Sequence, residues 1–573
     1  MQEKKTKGLW KIKAGLGFVG RKAMKELNRE SRDGRNAQEK TLRRMLTVSK
    51  DTVYGREHHF EEILKAETPE KLFELYRGYV PVNQYEDLRH YVERHKNGEP
   101  DVLFPGKPKM YATTSGTTNE PKWIPITDQY YQEVYNNMNR LWFYTLLKNK
   151  PKTFDGPTLS IVGKAIEGAA PDGTVYGSIS GISQRDIPKF MRPVHTAPAD
   201  VFGIEDYKAR YYALMRMGIE RDVHCIITAN PSTLIEMQNN ANEFYDDYVE
   251  DIEKGTVGRR FDIPEDIRAA LEGYTKPNPA RAQELRELKT QYGTVLPKHY
   301  WPNMQVINTW MCGNTAVYFD RIKDSFAKDS VFHEFSYFAS ECRPGVVLKS
   351  STKDTVIFGH KTYFEFIHES ELDSPNPRIY QMHEVKAGQR YCIIVTTSAG
   401  LYRYNMNDLV EITGFYNEYP TISMIQKING TINLTGEKLH ESQFIKAINS
   451  AEKDKGLKLT FFIGFADLKD SVYRLYYEFA DPGVSQAEAE DFTRLVDTYL
   501  KKYNVEYQAK RDSFRLKDPV TELLVPESFE QFKSRCIDMG YRDGQFKLNL
   551  LMQDERRHQM FRELVKKADL VLA

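Results

Sequence analysis

The chain has 573 residues, of which 40% are hydrophobic and 28% charged, and its 81 Lys+Arg against 80 Asp+Glu leave a formal net charge of +1. This usage excludes a collagenous or disordered chain, and the even balance provides neither a global basic field for nucleic acid nor an acidic excess. At about 150 residues per domain the length allows up to roughly four domains.

The five cysteines (Cys225, Cys312, Cys342, Cys392 and Cys536) are widely spaced and odd in number, so they form neither a disulfide framework nor a CxxC metal pair. No apolar run reaches the ~18–20 residues of a membrane span. The first apolar stretch, Gly8 to Gly20, is interrupted by Lys11 and Lys13, unlike a secretory leader. A cytoplasmic protein is expected.

Residues 1–50 carry 15 Lys/Arg and 5 Asp/Glu, a local excess of +10. Leu9, Ile12, Leu16, Val19, Ala23 and Leu27 recur at spacings of three and four, predicting an amphipathic helix with a basic opposite face. Such a helix fits either an acidic surface, membrane or protein, or the protein's own body. Gly15, Gly17 and Gly20 weaken a free-standing helix and favour the body. Residues 1–36 are therefore read as a basic N-terminal extension.

Residues 37–80 read as helices, with an N-cap at Thr68 before Pro69, and Tyr85 to His95 as another, closed by Asn97-Gly98. Lys109 to Thr113 is extended, and a helix rich in aromatics runs from Asp128 to Leu147. Thr158 to Val162, Cys225 to Thr228, Val306 to Thr309 and Val346 to Leu348 read as buried strands, with residues 235–300 as a solvent-facing helical layer. Strands follow at Tyr391 to Thr397, Leu401 to Tyr404 and Leu409 to Thr413. The fold class is thus mixed α/β in layers. A boundary near residue 428 separates a large domain, 37–428, from a smaller one, 429–573, whose best elements are Phe461 to Phe465, Arg474 to Phe479 and the helix Ala487 to Tyr503.

Chemistry concentrates in Thr113-Thr114-Ser115-Gly116-Thr117-Thr118-Asn119-Glu120-Pro121-Lys122. Five hydroxyls, a glycine and an ammonium within ten residues suit an oligophosphate, although the Walker spacing is absent. The stretch resembles the phosphate loop of the adenylate-forming superfamily, with Asn119 in place of its second glycine. Tyr337-Phe338-Ala339-Ser340-Glu341-Cys342 resembles the YxxSE element of the plant auxin-responsive acyl acid amido synthetases. Pro81 to Leu88, Trp301-Pro302-Asn303, Tyr363 to Phe366, Val395 to Tyr404, Thr413 to Asn417 and Gly544 to Lys547 are similar to that family in the same order, spanning about residues 37–560.

That resemblance implies roles. Ser115, Gly116, Thr117, Thr118 and Lys122 would hold the outer phosphates of ATP. Tyr337 would stack on adenine, with core packing as its alternative, and Ser340 would reach the α-phosphate. Glu341 would bind Mg²⁺, with a surface salt bridge as its alternative. Asp408 would grip the ribose, although the turn before it reads Asn405-Met406-Asn407, and Lys427 stands where the family has a hinge arginine. Lys547 would come from the small domain to the reacting phosphate, with a solvated lysine as its alternative. Glu437, Lys438 and Glu441 would line the second half-reaction. The implied function is an ATP-dependent ligase that joins a small carboxylic acid to an amine, an amino acid foremost, through an acyl-adenylate. A thiol acceptor or a non-catalytic nucleotide-binding relative is the alternative.

Overall fold

A computed structural model describes residues 2–114, 122–187, 191–312, 319, 322–350, 352–372, 374–428, 431–432, 434, 437, 439–467, 469–512, 516–538 and 548–565. Some of these, among them 2–9 and Lys427, are described by backbone alone. The chain divides into two compact units, one of Met1–Met406 with Val410–Met424 and the other of Asn407–Leu409 with Ile425–Ala573.

In the first unit the N-terminal helix, Gln2–Glu30, packs on the helix Asn137–Asn149. Its buried stripe is Ile12, Leu16, Gly20, Ala23 and Leu27, whereas Val19 is 37% exposed. Gly20 replaces Val19 in the expected stripe for a steric reason: a Cβ there would lie 2.3 Å from Tyr144 Cβ, so only glycine permits this approach. The helix Pro69–Tyr79 starts as expected, Thr68 Oγ1 accepting from Lys71 N–H at 3.3 Å. The Asp128 helix continues to Asn149 but passes through a π-helical stretch at Tyr131–Asn136.

The strands of this unit are β1 (Met110–Thr114), β2 (Lys122–Ile126), β3 (Thr158–Ile161), β4 (Gly168–Ala169), β5 (Val175–Gly177), β6 (Cys225–Thr228), β7 (Val306–Thr309) and β8 (Val331–Glu334). They continue with β9 (Gly345–Val347), β10 (Thr355–Ile357), β11 (Tyr363–His368), β12 (Ile379–Gln381), β13 (Arg390–Thr396), β14 (Tyr404–Tyr416) and β15 (Tyr419–Lys427). Three sheets result, ordered β2-β1-β5-β4, β3-β6-β7-β8 and β12-β11-β13-β14-β15-β10-β9. The second is parallel throughout. Its short apolar runs feed two cores because successive residues face opposite ways. Cys225, Ile227 and Val306 join one core, and Ile226 and Ile307 the other.

Residues 235–300 are helical as expected but are not merely a solvated layer. Tyr245, Tyr248, Ile252, Leu285 and Tyr300 build the second core with Trp301, whose Nε1–H donates to Gly218 O at 3.0 Å. Nor is Leu401 to Tyr404 a separate strand. Gly400 and Arg403 have φ of 85° and 43°, so the chain turns there and pairing resumes at Tyr404.

The second unit holds β16 (Thr431–Ile432), β17 (Leu439–His440), β18 (Leu459–Asp467), β19 (Val472–Phe479), β20 (Val520–Leu523) and β21 (Leu551–Met552). Its main sheet runs β20-β19-β18-β21. The helices Glu441–Lys455 and Gln486–Tyr503 pack on each other, burying Phe444, Ile448, Phe492, Val496 and Leu500. The second of these helices opens with a capping box between Ser485 and Glu488.

Candidate active site

Two strands set the ends of the hydroxyl-rich stretch. β1 and β2 pair antiparallel with Thr114 opposite Lys122, and β1 pairs with β5 on its other edge. Ser115, Gly116, Thr117 and Thr118 lie outside the described residues. Lys122 is half-buried; its Nζ donates to the Tyr404 hydroxyl at 3.4 Å and lies 5.8 Å from the centre of the Tyr85 ring. The Tyr85 hydroxyl accepts from Trp123 N–H at 2.7 Å, which holds that ring in place. Among the described residues Lys122 forms no ion pair, so a hydroxyl and an aromatic face orient its ammonium without neutralising it.

Tyr404 reaches Lys122 because the turn before it is held from several sides. Arg403 N–H donates to Thr396 Oγ1 at 3.0 Å, and the Tyr402 hydroxyl donates to Leu103 O at 2.6 Å. Asn83 Nδ2 donates to Tyr402 O at 2.7 Å, while Asn83 N–H donates to Arg403 O and Asn83 O accepts from Asn405 N–H, both at 2.9 Å. Gly400 has positive φ, and a Cβ there would come within 2.8 Å of Leu103 Cβ. The sequence placed Tyr404 inside a family-like stretch but gave it no role; its contact with Lys122 supplies one.

The Tyr337 to Cys342 segment follows the carboxyl end of β8, where parallel sheets present loops to ligands. Ser336 turns the chain at φ 75°, its Oγ accepting from Val347 N–H at 2.9 Å. Tyr337 N–H donates to Thr355 Oγ1 at 3.1 Å, and its side chain, 9% exposed, packs in the first core. Ala339 N–H donates to Cys342 O at 3.0 Å, closing a turn that leaves Ser340 and Glu341 half exposed. Arg343 N–H donates to the Tyr130 hydroxyl at 3.0 Å and ties this turn to the Asp128 helix. Glu341 forms no ion pair among the described residues, so the salt-bridge alternative is not seen. One such carboxylate suits Mg²⁺, which takes one or two carboxylates and completes its shell with phosphate oxygens and water.

The carboxyl end of β7 lies beside that of β8. There Met311 is held at both peptide groups: its N–H donates to Glu334 Oε2 at 2.7 Å, and its carbonyl accepts from Lys353 Nζ at 2.9 Å. Burial pushes the Glu334 carboxyl up to about 7 despite the Met311 N–H, so it is protonated well above the usual carboxylate range. No sequence signal marked Glu334. Burial also pushes the thiols of Cys225, Cys312 and Cys342 up to about 12, which makes them poor nucleophiles.

In the second unit's share of β14, Asn407 has φ 52°, the left-handed conformation that Asn tolerates. The alternation that buries Tyr404 and Met406 continues through Asp408, Val410 and Ile412, with Leu409 buried in addition and Asp408 at 2% exposure. Lys427 ends β15 and its side chain is not described; Lys547 lies outside the described residues. Glu437 and Glu441 are both buried and serve the backbone. Glu437 accepts from Leu434 N–H at 2.7 Å and from the Tyr473 hydroxyl at 2.5 Å, and Glu441 accepts from Leu550 N–H. Lys438, expected beside them, lies outside the described residues.

Comparison with known proteins follows the same order along the chain. Residues 23–331 match the GH3 family N-terminal domain, 355–427 its central domain and 442–556 its C-terminal domain. Indole-3-acetic acid-amido synthetase GH3.3 of Arabidopsis thaliana is 23% identical over 557 residues, covering 92% of this chain and 91% of its own length. Jasmonoyl–L-amino acid synthetase JAR4 of Nicotiana attenuata is 24% identical over 488 residues, covering 81% and 80%. Among solved structures, GH3.15 acyl acid amido synthetase superposes with a TM-score of 0.81 at 21% identity, covering 93% of this chain and 94% of that one. A 2-hydroxyisobutyryl-CoA ligase in the postadenylation state superposes with 0.53 at 13% identity, covering 92% and 91%. These two likenesses establish that the chain shares their fold.

Proposed function

The chain belongs to the GH3 family, and from that premise we propose that it is an ATP-dependent acyl acid amido synthetase: a ligase that joins a carboxylic acid to an amine, foremost an amino acid, through an acyl-adenylate. The observation that carries the reading is the match of all three family domains in order across residues 23–556. In the first half-reaction the substrate carboxylate attacks the α-phosphorus of ATP. An acyl O–P bond forms, and the bond to the outer phosphates breaks, releasing pyrophosphate. In the second, the amine attacks the acyl carbon; a C–N bond forms, AMP leaves with the electron pair of the C–O bond, and the amine gives up a proton to solvent.

Lys122, oriented but not neutralised by Tyr404 and Tyr85, is proposed to meet the outer phosphates together with Ser115, Gly116, Thr117 and Thr118. Ser340 is assigned to the α-phosphate, Asp408 to the ribose and Tyr337 to the adenine end. Lys427 is assigned to the hinge and Lys547 to the phosphate undergoing attack. Glu341, on its open turn, would hold Mg²⁺, which neutralises phosphate charge when bound. The large domain of 37–428 is proposed to bind ATP and the acyl acid, and the small domain of 429–573 to serve as a mobile lid. The cytoplasm is the proposed compartment, consistent with five free cysteines and with no described helix long and apolar enough to cross a membrane. Nucleic acid is not a proposed partner.

The test is a pyrophosphate-release screen of carboxylic acids, followed by mass spectrometry of products with each amino acid and with coenzyme A. Acid-dependent pyrophosphate release with an amide product is expected. Product with coenzyme A alone would make the chain a thiol ligase, and absence of pyrophosphate release across the acids would leave a nucleotide-binding relative.

A further inference from the structure

The N-terminal helix buries one stripe on the body of the first unit and leaves the opposite face open. Trp10 is 60% and Phe18 76% exposed, the two most exposed large apolar side chains among the described residues. At 100° per residue Trp10, Ala14, Phe18, Arg21 and Lys25 fall on one stripe, opposite Ile12, Leu16, Ala23 and Leu27. Lys11, Lys22 and Arg29 flank it, all exposed.

The face is rigidly presented. Lys13 pairs with Asp155, Lys361 Nζ reaches Glu26 at 2.6 Å, the Tyr416 hydroxyl donates to Asn28, and Asn417 Nδ2 donates to Ser31 Oγ at 2.8 Å. Of the three acidic residues of this helix, Glu26 is committed to Lys361 and Glu30 to Arg29 at 2.7 Å, and Glu3 lies before Trp10 in the part described by backbone alone. From Trp10 to Lys25 the open face therefore offers two aromatic rings and a set of cations, with no carboxylate among its described side chains.

We infer that this face docks the protein on an anionic lipid surface, Trp10 and Phe18 entering the headgroup region and Lys11, Arg21, Lys22 and Lys25 meeting lipid phosphates. Charge decides against a second copy of the chain: a two-fold contact through this face would set like charges against each other. Aromatic rings decide for lipid over an acidic protein, since indole is favoured at the membrane–water boundary and cations beside it are drawn to anionic headgroups. The helix lies on such a surface rather than crossing it. The inference is independent of the catalytic reading.

Co-sedimentation of the full chain with vesicles tests it, comparing phosphatidylcholine alone with phosphatidylcholine plus phosphatidylserine. Partition into the anionic vesicles is expected to exceed the neutral case by about tenfold or more and to fall with added salt. The pair Arg21→Glu and Lys25→Glu is expected to lower it about tenfold. The pair Trp10→Ser and Phe18→Ser should lower it comparably, with pyrophosphate release unchanged, because neither residue is among those assigned to the site. The emission difference between wild type and Trp10→Phe should shift to the blue on anionic vesicles. Equal partition into both vesicles, or none into either, overturns the inference. So does a dimer in light scattering that Phe18→Ser dissociates, which would make this face a contact between copies.

Discussion

Arg403 Nε donates to Glu365 Oε2 at 2.8 Å, and both side chains are almost wholly buried. Glu365 lies on β11 and Arg403 on the turn before β14, where its guanidinium also reaches Val80 O at 2.7 Å. The pair thus holds the left-handed turn that delivers Tyr404 to Lys122. Removing one partner strands a buried charge, so Glu365→Leu is expected to cost about 3–5 kcal/mol in urea unfolding. The double variant Arg403→Met with Glu365→Leu should recover much of that loss. Additive losses would show that the two charges do not act as a pair.

Lys122→Ala is expected to weaken ATP binding by about tenfold or more, the scale of a charge-assisted contact, while AMP binding stays near wild type. Tyr404→Phe keeps the ring and removes one hydroxyl, so a change of no more than about fivefold is expected. Calorimetric titration with both nucleotides separates the cases. Equal weakening of ATP and AMP by Lys122→Ala would place this lysine away from the outer phosphates.

Glu341→Gln preserves shape and removes charge on a half-exposed turn with no ion pair among the described residues, so folding should be unaffected. The Mg²⁺ requirement should rise, and acid-dependent pyrophosphate release should fall on the order of 100-fold. A metal titration indistinguishable from wild type would remove Glu341 from the site.

Glu334 gives a pH signature. Its carboxyl is raised by burial to about 7 from 4.5, so the native chain retains a proton that the unfolded chain releases. The stability due to this group is complete below about 4.5 and is lost as pH climbs through about 7, a difference of ~3 kcal/mol. Glu334→Gln, neutral throughout, should therefore show a flatter stability profile over this window. The same slope in variant and wild type would show that Glu334 does not titrate there.

Lys547→Ala bears on the division between half-reactions. Its assigned role is at the phosphate under attack, so adenylate formation should slow on the order of 100-fold while amide formation from supplied acyl-adenylate is spared. Single-turnover assays of each step measure this. Equal slowing of both would end that division of labour.

The amino-acid sequence by itself determined the elements whose signals are local. The cap at Thr68, the buried strands and the helix ending at Tyr503 are written in propensity and period, which neighbours in the chain suffice to set. It also named the family and the hydroxyl-rich stretch ending at Lys122, because those residues are contiguous. Tertiary structure alone decided which faces were taken. Gly20 displaced Val19 from the buried stripe because Tyr144, 124 positions away, leaves no room for a Cβ. Arg403 bent a promising strand into a turn because Glu365 and Val80 capture its guanidinium. Glu334 acquired a raised pKa, and Glu437 and Glu441 became backbone anchors, only through burial. Packing, desolvation and long-range hydrogen bonds depend on partners far away in sequence, and local pattern carries no record of them.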